Sequence, residues 1–316
     1  MKTAAHKYRL YGRNVCSEFP MPLTPHQFET PDITIHFDGF KTKTTQQSPD
    51  PSGHTWTEDG NDRLLTFYNY DGDFLQFRFC DNGHRIRITQ SWPHWEDSLF
   101  ALMNPAMAAA IALQDTSVLH GSSLVRNGKS ILIMGVSESG KSTLSAALIA
   151  QGYMALHSDD IGVLESSNEI LAIAPGYPRL KIEKTIAKQL NIDEEKLLQV
   201  TESVSDETEK WIDARDLSGG FFPGYAPLSA LCVLSKRDGS LTKPQIEKVS
   251  GMQAVLALSE HLYGRDWLNP PGGDTLSVCS QLTKSVPVYR VTMPDDLSVL
   301  SSAARELTGY LDAEGV

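Results

Sequence analysis

Apolar and polar residues alternate along the first third of the chain, and this alternation predicts β-strands. Ile33–Phe37 and Phe74–Phe79 both follow a period of two, which is the period of a strand with one buried face. Asp81–Gly83 then separates Phe74–Phe79 from the alternating run Arg85–Thr89, and these turn residues predict a β-hairpin. We therefore expect residues 1–98 to form a small antiparallel, β-rich domain.

The pattern changes at Leu99 to helices that alternate with apolar strands, which is typical of an α/β domain over residues 99–316. The predicted strands are Val118–Val125, Ser130–Met134, Tyr153–His157 and Ala230–Leu234. The predicted helices are Ala101–Leu113, Thr143–Gln151, Glu183–Gln199 and Gly251–Tyr263. Ala101–Leu113 is the most apolar stretch, but it is too short to span a bilayer, so we expect a buried helix.

Composition narrows the class of protein. With 316 residues and 41% hydrophobic residues, the chain can form two domains. A net charge of −11 argues against a nucleic-acid partner, because phosphate backbones require a basic surface. Cys16, Cys80, Cys232 and Cys279 are far apart, which suggests neither a zinc site nor a disulfide framework. Reduced thiols and an opening Met1–Leu10 without an apolar core predict a cytoplasmic protein with no signal peptide.

The strongest chemical signal is Gly135–Ser142, which reads G-x-x-x-x-G-K-S between an apolar strand and a helix. Such a loop turns its N–H groups toward phosphate oxygens, and the following helix contributes the positive end of its dipole. Lys141 would hold the β- and γ-phosphates, and the Ser142 hydroxyl would bind Mg²⁺. The nucleotide-binding residues are thus expected to be Gly135, Ser137, Glu138, Ser139, Gly140, Lys141, Ser142 and Thr143.

Two adjacent carboxylates, Asp159 and Asp160, follow the predicted strand Tyr153–His157. This position places them at the carboxyl edge of the sheet, beside the phosphates. One carboxylate can bind Mg²⁺ together with Ser142, for which we favour Asp160, and the other can accept the proton of an incoming alcohol. Adjacent strand residues point to opposite faces, so both can act only if the strand has ended. A turn stabilised by the Asp side chains is the structural alternative.

Two further residues are candidates for catalysis. His120 precedes the glycine-rich loop by one hairpin, although an isolated histidine is often purely structural. Arg179 could neutralise charge in a transition state, because its planar guanidinium matches phosphate oxygens. A surface arginine with no such role is the alternative for this position.

Leu119-His120-Gly121, Gly135–Ser142 and Ser158-Asp159-Asp160, in this order and spacing, resemble the C-terminal catalytic domain of bacterial HPr kinase/phosphorylase, a P-loop serine kinase. The resemblance covers roughly residues 115–165. It implies an α/β fold, with a P-loop kinase domain of the HPr kinase C-terminal type preceded by the smaller β-rich domain. It also implies ATP and Mg²⁺ as cofactors, a homo-oligomer, and a phosphoryl-transfer centre that contains His120, Asp159 and Asp160, with one carboxylate as general base.

The chain departs from this family in three places. Glu138 stands where the family loop usually has glycine, and Pro175–Leu180 occupies the region of the family's C-terminal signature. The opening, with Tyr8–Gly12 and Ser17–Pro20, is more similar to HPr-kinase-related proteins of ribosomal-peptide pathways. These include lasso peptide kinases, which phosphorylate a serine hydroxyl on the C-terminal residue of a precursor peptide.

We therefore expect an ATP- and Mg²⁺-dependent kinase that acts on a serine of a peptide or small protein, with no nucleic-acid or membrane partner. The alternatives are an HPr(Ser) kinase/phosphorylase that acts on a carrier protein, and a nucleotide sensor without catalysis. The second carboxylate favours a kinase, because a sensor needs no proton acceptor. An exposed sheet edge in the β-rich domain could also capture an extended peptide as an added strand, and replacing Phe74–Phe79 with a polar loop would test this hypothesis.

Overall fold

The computed structural model describes residues 5–42, 53–69, 71–92, 95–167, 170–199, 208–264 and 275–316. Within these ranges the chain folds as a mixed α/β protein with three β-sheets. The chain divides into two compact units between Thr116 and Ser117, whereas the sequence pattern changes near Ser98. Each unit is described by itself below.

The first unit contains a seven-stranded sheet with the order β1-β2-β3-β7-β6-β5-β4. Its strands are β1 His6–Leu10, β2 Arg13–Ser17, β3 Ile33–Phe40, β4 His54–Asp59, β5 Asp62–Tyr68, β6 Phe74–Cys80 and β7 Arg85–Gln90. The predicted hairpin at Asp81–Gly83 is confirmed, since β6 and β7 pair antiparallel across it. The expectation of a purely antiparallel sheet is wrong, because β3 runs parallel to both β2 and β7. Three other strands separate β3 from β7 in the chain, so no tight turn forces these two to be antiparallel.

Strand β6 lies in the interior of this sheet, where β5 and β7 pair with it on its two sides. Phe74–Phe79 is therefore not a sheet edge that could bind a peptide, because its backbone groups already bond to neighbouring strands. Phe77, Phe79, Ile86 and Ile88 are buried at every second position, as the alternation predicts. The strands at the edges of the sheet are β1 and β4.

Two helices complete the first unit, α1 over Trp95–Ala101 and α2 over Met107–Ala112. A single π-helical turn, Leu102–Ala106, joins them and contains Pro105. Proline has no N–H to donate, so the regular hydrogen-bond ladder is interrupted at this turn. The expected buried helix is thus confirmed, with a local irregularity at the proline. Across the described residues, no helix combines the length and apolarity needed to cross a membrane.

The second unit begins at β8 and contains the predicted phosphate-binding motif. Its strands are β8 Val118–Arg126, β9 Lys129–Gly135, β10 Ala155–Ser158, β11 Ile161–Ser167, β12 Ile170–Ile173, β13 Arg179–Glu183, β14 Leu198–Gln199, β15 Glu209–Asp213, β16 Ala226–Leu234, β17 Gln245–Val249 and β18 Val288–Thr292. Its helices are α3 Lys141–Ala150, α4 Lys184–Gln189, α5 Gly251–Ser259, α6 Thr275–Ser285 and α7 Leu300–Ala313. Strands β13, β15 and β14 form a separate small sheet.

Strand β9 lies at the centre of the large sheet of this unit. It pairs antiparallel with β8 and parallel with β16, and β16 in turn runs parallel to β18. Ile133 packs in a cluster with residues of α3 and α7, whereas Leu132 and Met134 pack in a second cluster with α5 and α6. Both faces of β9 are therefore covered, which explains its uninterrupted apolar sequence.

The predicted helix Glu183–Gln199 is wrong over most of its length. Glu183 ends β13, and α4 extends only to Gln189. Asn191 adopts a left-handed backbone conformation with φ of 55°, which terminates a helix in the manner usual for glycine or asparagine. The sequence correctly indicates a helix in this region, but the helix is short. The sequence analysis does not predict the strand β13 that precedes it.

Candidate functional site

The phosphate loop, Gly135–Ser142, connects the end of β9 to the start of α3. Gly140 precedes α3 with φ of 95°, a conformation that favours glycine. A Cβ atom at Gly135 would lie 2.4 Å from the Ser139 Oγ, so the loop can close this tightly only with glycine there. The sequence motif is thus folded as a compact turn at the amino end of a ten-residue helix.

Lys141 is held inside this loop and is only 8% exposed. Its ammonium donates hydrogen bonds to the carbonyl oxygens of Gly135, at 2.8 Å, and Val136, at 3.2 Å. Burial lowers the pKa of Lys141, and the nearby charges of Asp160 and Asp159 oppose this shift. A desolvated cation attracts an anion more strongly than an exposed one, so the loop is electrostatically suited to a phosphate chain.

The Ser139 hydroxyl gives a direct structural test of whether a polar ligand fits the loop. This side chain is 4% exposed, and its Oγ has no hydrogen-bond partner among the residues that the structure describes. Leaving a buried hydroxyl unpaired costs roughly 1–3 kcal/mol. A phosphate or ribose oxygen beside the loop would supply the missing partner, so the residues present fit a nucleotide.

The two adjacent aspartates lie in a turn between β10, which ends at Ser158, and β11, which begins at Ile161. The strand has therefore ended before the pair, which is the condition for the two side chains to take different roles. Asp160 has a left-handed backbone with φ of 62°. Strained backbone of this kind is concentrated at functional sites.

Asp160 and the phosphate loop share one cavity of about 650 Å³. The register of β8 against β11 places His120 opposite Ile161, and the Gly121 amide donates to the Asp160 carbonyl at 3.0 Å. The cavity is lined by His120, Ser137, Glu138, Gly140, Lys141, Ser142, Thr143, Asp160, Lys181, Ile182, Glu183, Ile186, Glu209, Arg237 and Leu297. The tertiary structure thus brings together four of the predicted groups: His120, Lys141, Ser142 and Asp160.

His120 is half-buried at this cavity. Burial lowers the pKa of its imidazole, the charge of Asp160 opposes the shift, and the charge of Lys141 adds to it. Burial thus favours the neutral imidazole, which has one ring nitrogen that can accept a proton.

Asp159 is buried behind this cavity and is not one of its lining residues. Its carboxylate accepts hydrogen bonds from the Ser122 hydroxyl at 2.8 Å and from the Lys181 amide at 3.1 Å. Burial, reinforced by the charge of Asp160, raises the pKa of Asp159 to about 7. The carboxylate ties β8 to β13 and fixes Lys181 at the cavity wall. Its role as a catalytic group stays a prediction.

Arg179 is also not among the residues that line the cavity beside the phosphate loop. Its guanidinium lies over the Trp211 ring, 4.8 Å from the ring centre, and burial lowers its pKa. This stacking is a cation–π contact of the kind that holds an arginine side chain in place. Direct contact of Arg179 with a phosphate stays a prediction.

Two cations that sequence reasoning missed do line the cavity. Lys181 projects from β13 and forms an ion pair with Glu209 at 3.2 Å. Arg237 follows β16 and pairs with Asp295 at 3.2 Å. The rule that ligands bind at the carboxyl ends of parallel strands could have singled out Arg237. No sequence signal indicated Lys181, because the sequence analysis assigned no strand to residues 179–182 and began a helix at Glu183.

The remaining predicted nucleotide-binding residues surround the same loop. Ser137, Glu138 and Thr143 line the cavity. Gly135 offers its carbonyl to Lys141, and Ser139 faces a neighbouring cleft. Among the described residues, no group of three or more His, Cys, Asp or Glu side chains could hold a metal ion. Magnesium in nucleotide sites is bound by one or two protein groups plus phosphates and water, so a Ser142 and Asp160 pair fits it.

Comparison with known proteins gives matches among solved structures alone. No family model matches it, and no curated protein matches it. Among solved structures it is similar to an HPr(Ser) kinase/phosphatase from Coxiella burnetii, with 16% sequence identity and a TM-score of 0.34, over 62% of this chain and 98% of that chain. A likeness at this level does not establish a function, which must rest on the geometry of the site.

Glu138 occupies a position of the loop where glycine is expected. Its backbone conformation explains why glycine is favoured at this position. Its φ is 64°, which costs a side-chain-bearing residue roughly 1–2 kcal/mol.

We expect Glu138→Gln and Glu138→Gly both to bind MgATP about threefold more tightly at low salt, because each removes a carboxylate beside the phosphates. Only Glu138→Gly should also remove the backbone strain and so raise the free energy of unfolding. Titration calorimetry and urea denaturation measure the two effects, and unchanged affinity in both variants would place the carboxylate away from the phosphates.

The raised pKa of Asp159 predicts a pH-dependent stability in metal-free protein. Between the ordinary value of 3.8 and the folded value of about 7, the folded protein retains a proton that the unfolded chain has lost. The free energy of unfolding must therefore fall as the pH rises through this window. In Asp159→Asn the amide oxygen can accept from the Lys181 N–H and the NH₂ group can donate to the Ser122 hydroxyl oxygen. The variant carries no charge to bury, so its stability advantage over wild type should grow from pH 4 to pH 7.

Urea denaturation in a chelating buffer measures this difference. Asp216→Asn, at an exposed position, is the matched control and should follow the wild-type curve. An Asp159→Asn variant whose stability changes with pH as steeply as that of wild type would contradict the assignment of the buried proton.

Proposed function

We propose that this chain is an ATP- and Mg²⁺-dependent phosphotransferase that transfers the γ-phosphoryl group to a serine hydroxyl of a peptide or small protein. One observation carries the proposal: the phosphate loop and the pair His120 and Asp160 line a single cavity. A binding module needs the loop alone. A transferase also needs proton-handling and metal-binding groups within reach of the terminal phosphate.

The nucleotide is held by the loop amides and by Lys141, which exchanges its contacts to the Gly135 and Val136 carbonyls for phosphate oxygens. Ser142 and Asp160 would hold Mg²⁺. When bound, Mg²⁺ neutralises negative charge on the phosphates and so assists departure of the leaving group. Lys181 and Arg237 add positive charge at the cavity wall.

Transfer forms a bond between the acceptor serine oxygen and the γ-phosphorus and breaks the bond from that phosphorus to the β,γ-bridging oxygen, which leaves with ADP. The serine proton needs an acceptor. Asp159 is buried outside the cavity and Asp160 is assigned to Mg²⁺, so we assign the proton to the neutral imidazole of His120. Asp159 acts through Lys181, as a positioning residue.

The acceptor is proposed at the level of a serine-bearing peptide or small protein. The C-terminal residue of a lasso peptide precursor is the particular acceptor that the sequence resemblance implies. We further propose a reducing, cytoplasmic location, because Cys16, Cys80, Cys232 and Cys279 form no disulfide within the part of the chain that the structure describes.

Mass spectrometry of the purified chain with ATP, Mg²⁺ and an acceptor panel tests the activity. The panel comprises serine-ended peptides, the same peptides ending in alanine, and the carrier protein HPr. Phosphate on the serine-ended peptides alone supports the proposal. Phosphate on HPr alone would replace it with an HPr kinase. ATP binding without a phosphorylated product on any member would favour a nucleotide sensor.

Variants of the cavity residues separate binding from transfer. We expect Lys141→Ala to weaken ATP binding at least tenfold, because it removes the only cation inside the loop. We expect Asp160→Asn and His120→Gln to retain ATP binding and to lower the transfer rate about a hundredfold or more. Lys243→Ala and Asp216→Asn, at exposed positions outside the cavity, are matched controls. Wild-type transfer rates in Lys141→Ala and Asp160→Asn would overturn the proposed site.

A further inference from the structure

Strand β13 lies at the edge of the small sheet and beside the large cavity. β15 pairs with one side of β13, and within the described part of the chain no strand pairs with its other side. Lys181, Ile182 and Glu183 of β13 line the cavity of about 650 Å³ that contains the phosphate loop. An unpaired strand edge, which can pair with another chain through its backbone groups, is therefore present at the cavity wall.

Hydrogen bonds at the two ends of β13 show which of its backbone groups point away from β15. The Lys184 N–H donates to the Thr208 carbonyl at 2.8 Å, and the Ala214 N–H donates to the Pro178 carbonyl at 2.8 Å. Both bonds continue the antiparallel register of β13 with β15, so the backbone groups of the even-numbered residues face β15. The odd-numbered residues direct their N–H and C=O groups to the outer edge, since these directions alternate along a strand.

Lys181 and Glu183 are the odd-numbered residues of β13 at the cavity. The Lys181 N–H donates to the Asp159 carboxylate at 3.1 Å, which agrees with its outward direction. Glu183 is the residue before α4, where the carbonyl accepts the first hydrogen bond of the helix. The outer edge thus offers the Lys181 carbonyl as an acceptor and the Glu183 N–H as a donor. One acceptor and one donor on successive outward residues are the groups with which an added strand pairs.

We infer that the acceptor peptide binds in an extended conformation along the outer edge of β13. One peptide N–H donates to the Lys181 carbonyl, and one peptide carbonyl accepts from the Glu183 N–H. The inference rests on the proposed function, because it places the acceptor serine in the cavity that contains the phosphate loop. It restricts the substrate class to extended peptide segments, since the backbone groups of a helix are already bonded to each other.

The Asp159 carboxylate connects this peptide-binding edge to the reacting groups. It accepts hydrogen bonds from the Lys181 amide on β13 and from the Ser122 hydroxyl on β8. His120 belongs to the same strand, β8. The position of the edge is therefore fixed relative to His120, the residue to which the proton of the acceptor serine is assigned.

Single N-methyl substitutions in the peptide backbone test the inference on the wild-type chain. The probe is a serine-ended peptide that this chain phosphorylates in the acceptor panel, methylated at one residue at a time, and its KM is measured by mass spectrometry. We expect methylation at one position to raise KM about tenfold, because that N–H no longer donates to the Lys181 carbonyl. Methylation of the residue on either side should change KM less than about twofold, because those N–H groups point away from β13.

This alternation along the peptide distinguishes the inference from the proposed function. A KM that is unaffected by every methyl group, or raised equally by all of them, would overturn peptide binding at β13 and leave the proposed function standing. Phosphate on none of the unmethylated peptides would instead remove the proposed function, and the inference with it.

Glu183→Pro removes the hydrogen-bond donor from the protein. Glu183 has φ of −75°, close to the fixed value of proline, and its N–H points away from β15, so no bond between the two strands is lost. Glu183→Gln is the matched variant, because it loses the same carboxylate and retains the N–H. We expect the peptide KM to be about fivefold higher in Glu183→Pro than in Glu183→Gln, with equal affinities for ATP.

Far-UV circular dichroism and urea denaturation establish whether both Glu183 variants are folded. Equal peptide KM values in two folded variants would overturn the inference. If Glu183→Pro does not fold, the N-methyl scan on the wild-type chain decides by itself.

Discussion

The pairing of β9 on both of its sides is the constraint on which the site depends. Because β8 binds one edge and β16 the other, the end of β9 is fixed in the middle of the sheet. The chain must then turn within a few residues to begin α3. This tight turn forces glycine at Gly135 and Gly140, buries Lys141, and directs the amino end of α3 toward the cavity.

The same sheet arranges the charges around that turn. The register of β8 with β11 brings His120 beside Asp160, and the Asp159 carboxylate links β8 to β13. Burying a carboxylate without a full counter-charge is unfavourable, and its raised pKa expresses this cost. A ligand that binds at this site can offset the free-energy cost of the buried charge. In this chain, both the desolvated Lys141 and the unpaired Ser139 hydroxyl favour a polyanionic ligand.

Two spaces with different linings adjoin each other beside the phosphate loop. The larger cavity is polar and contains the groups suited to phosphoryl transfer, whereas the adjoining cleft is mainly aliphatic. Arg237 and Leu297 line both spaces and mark the boundary between them.

The sequence by itself determined the elements whose signals are local. The alternation over Phe74–Phe79 and Arg85–Thr89 predicted a hairpin, and the glycine-rich motif predicted a strand, a loop and the helix α3. Local signals failed where neighbouring structure decides the outcome. The parallel pairing of β3 depends on strands distant in the chain, and the end of α4 depends on the backbone of one asparagine.

Only the tertiary structure decided how the two aspartates differ. They are identical in chemistry and adjacent in the chain, so no pattern distinguishes them. The turn after β10 exposes Asp160 to the cavity and directs Asp159 to Ser122 and Lys181, because successive residues in a turn project in different directions. Lys181 and Arg237 are distant from the phosphate loop in the chain, and only the folded structure places them at the cavity. Sequence specifies which groups are available, and long-range pairing of strands specifies which of them meet.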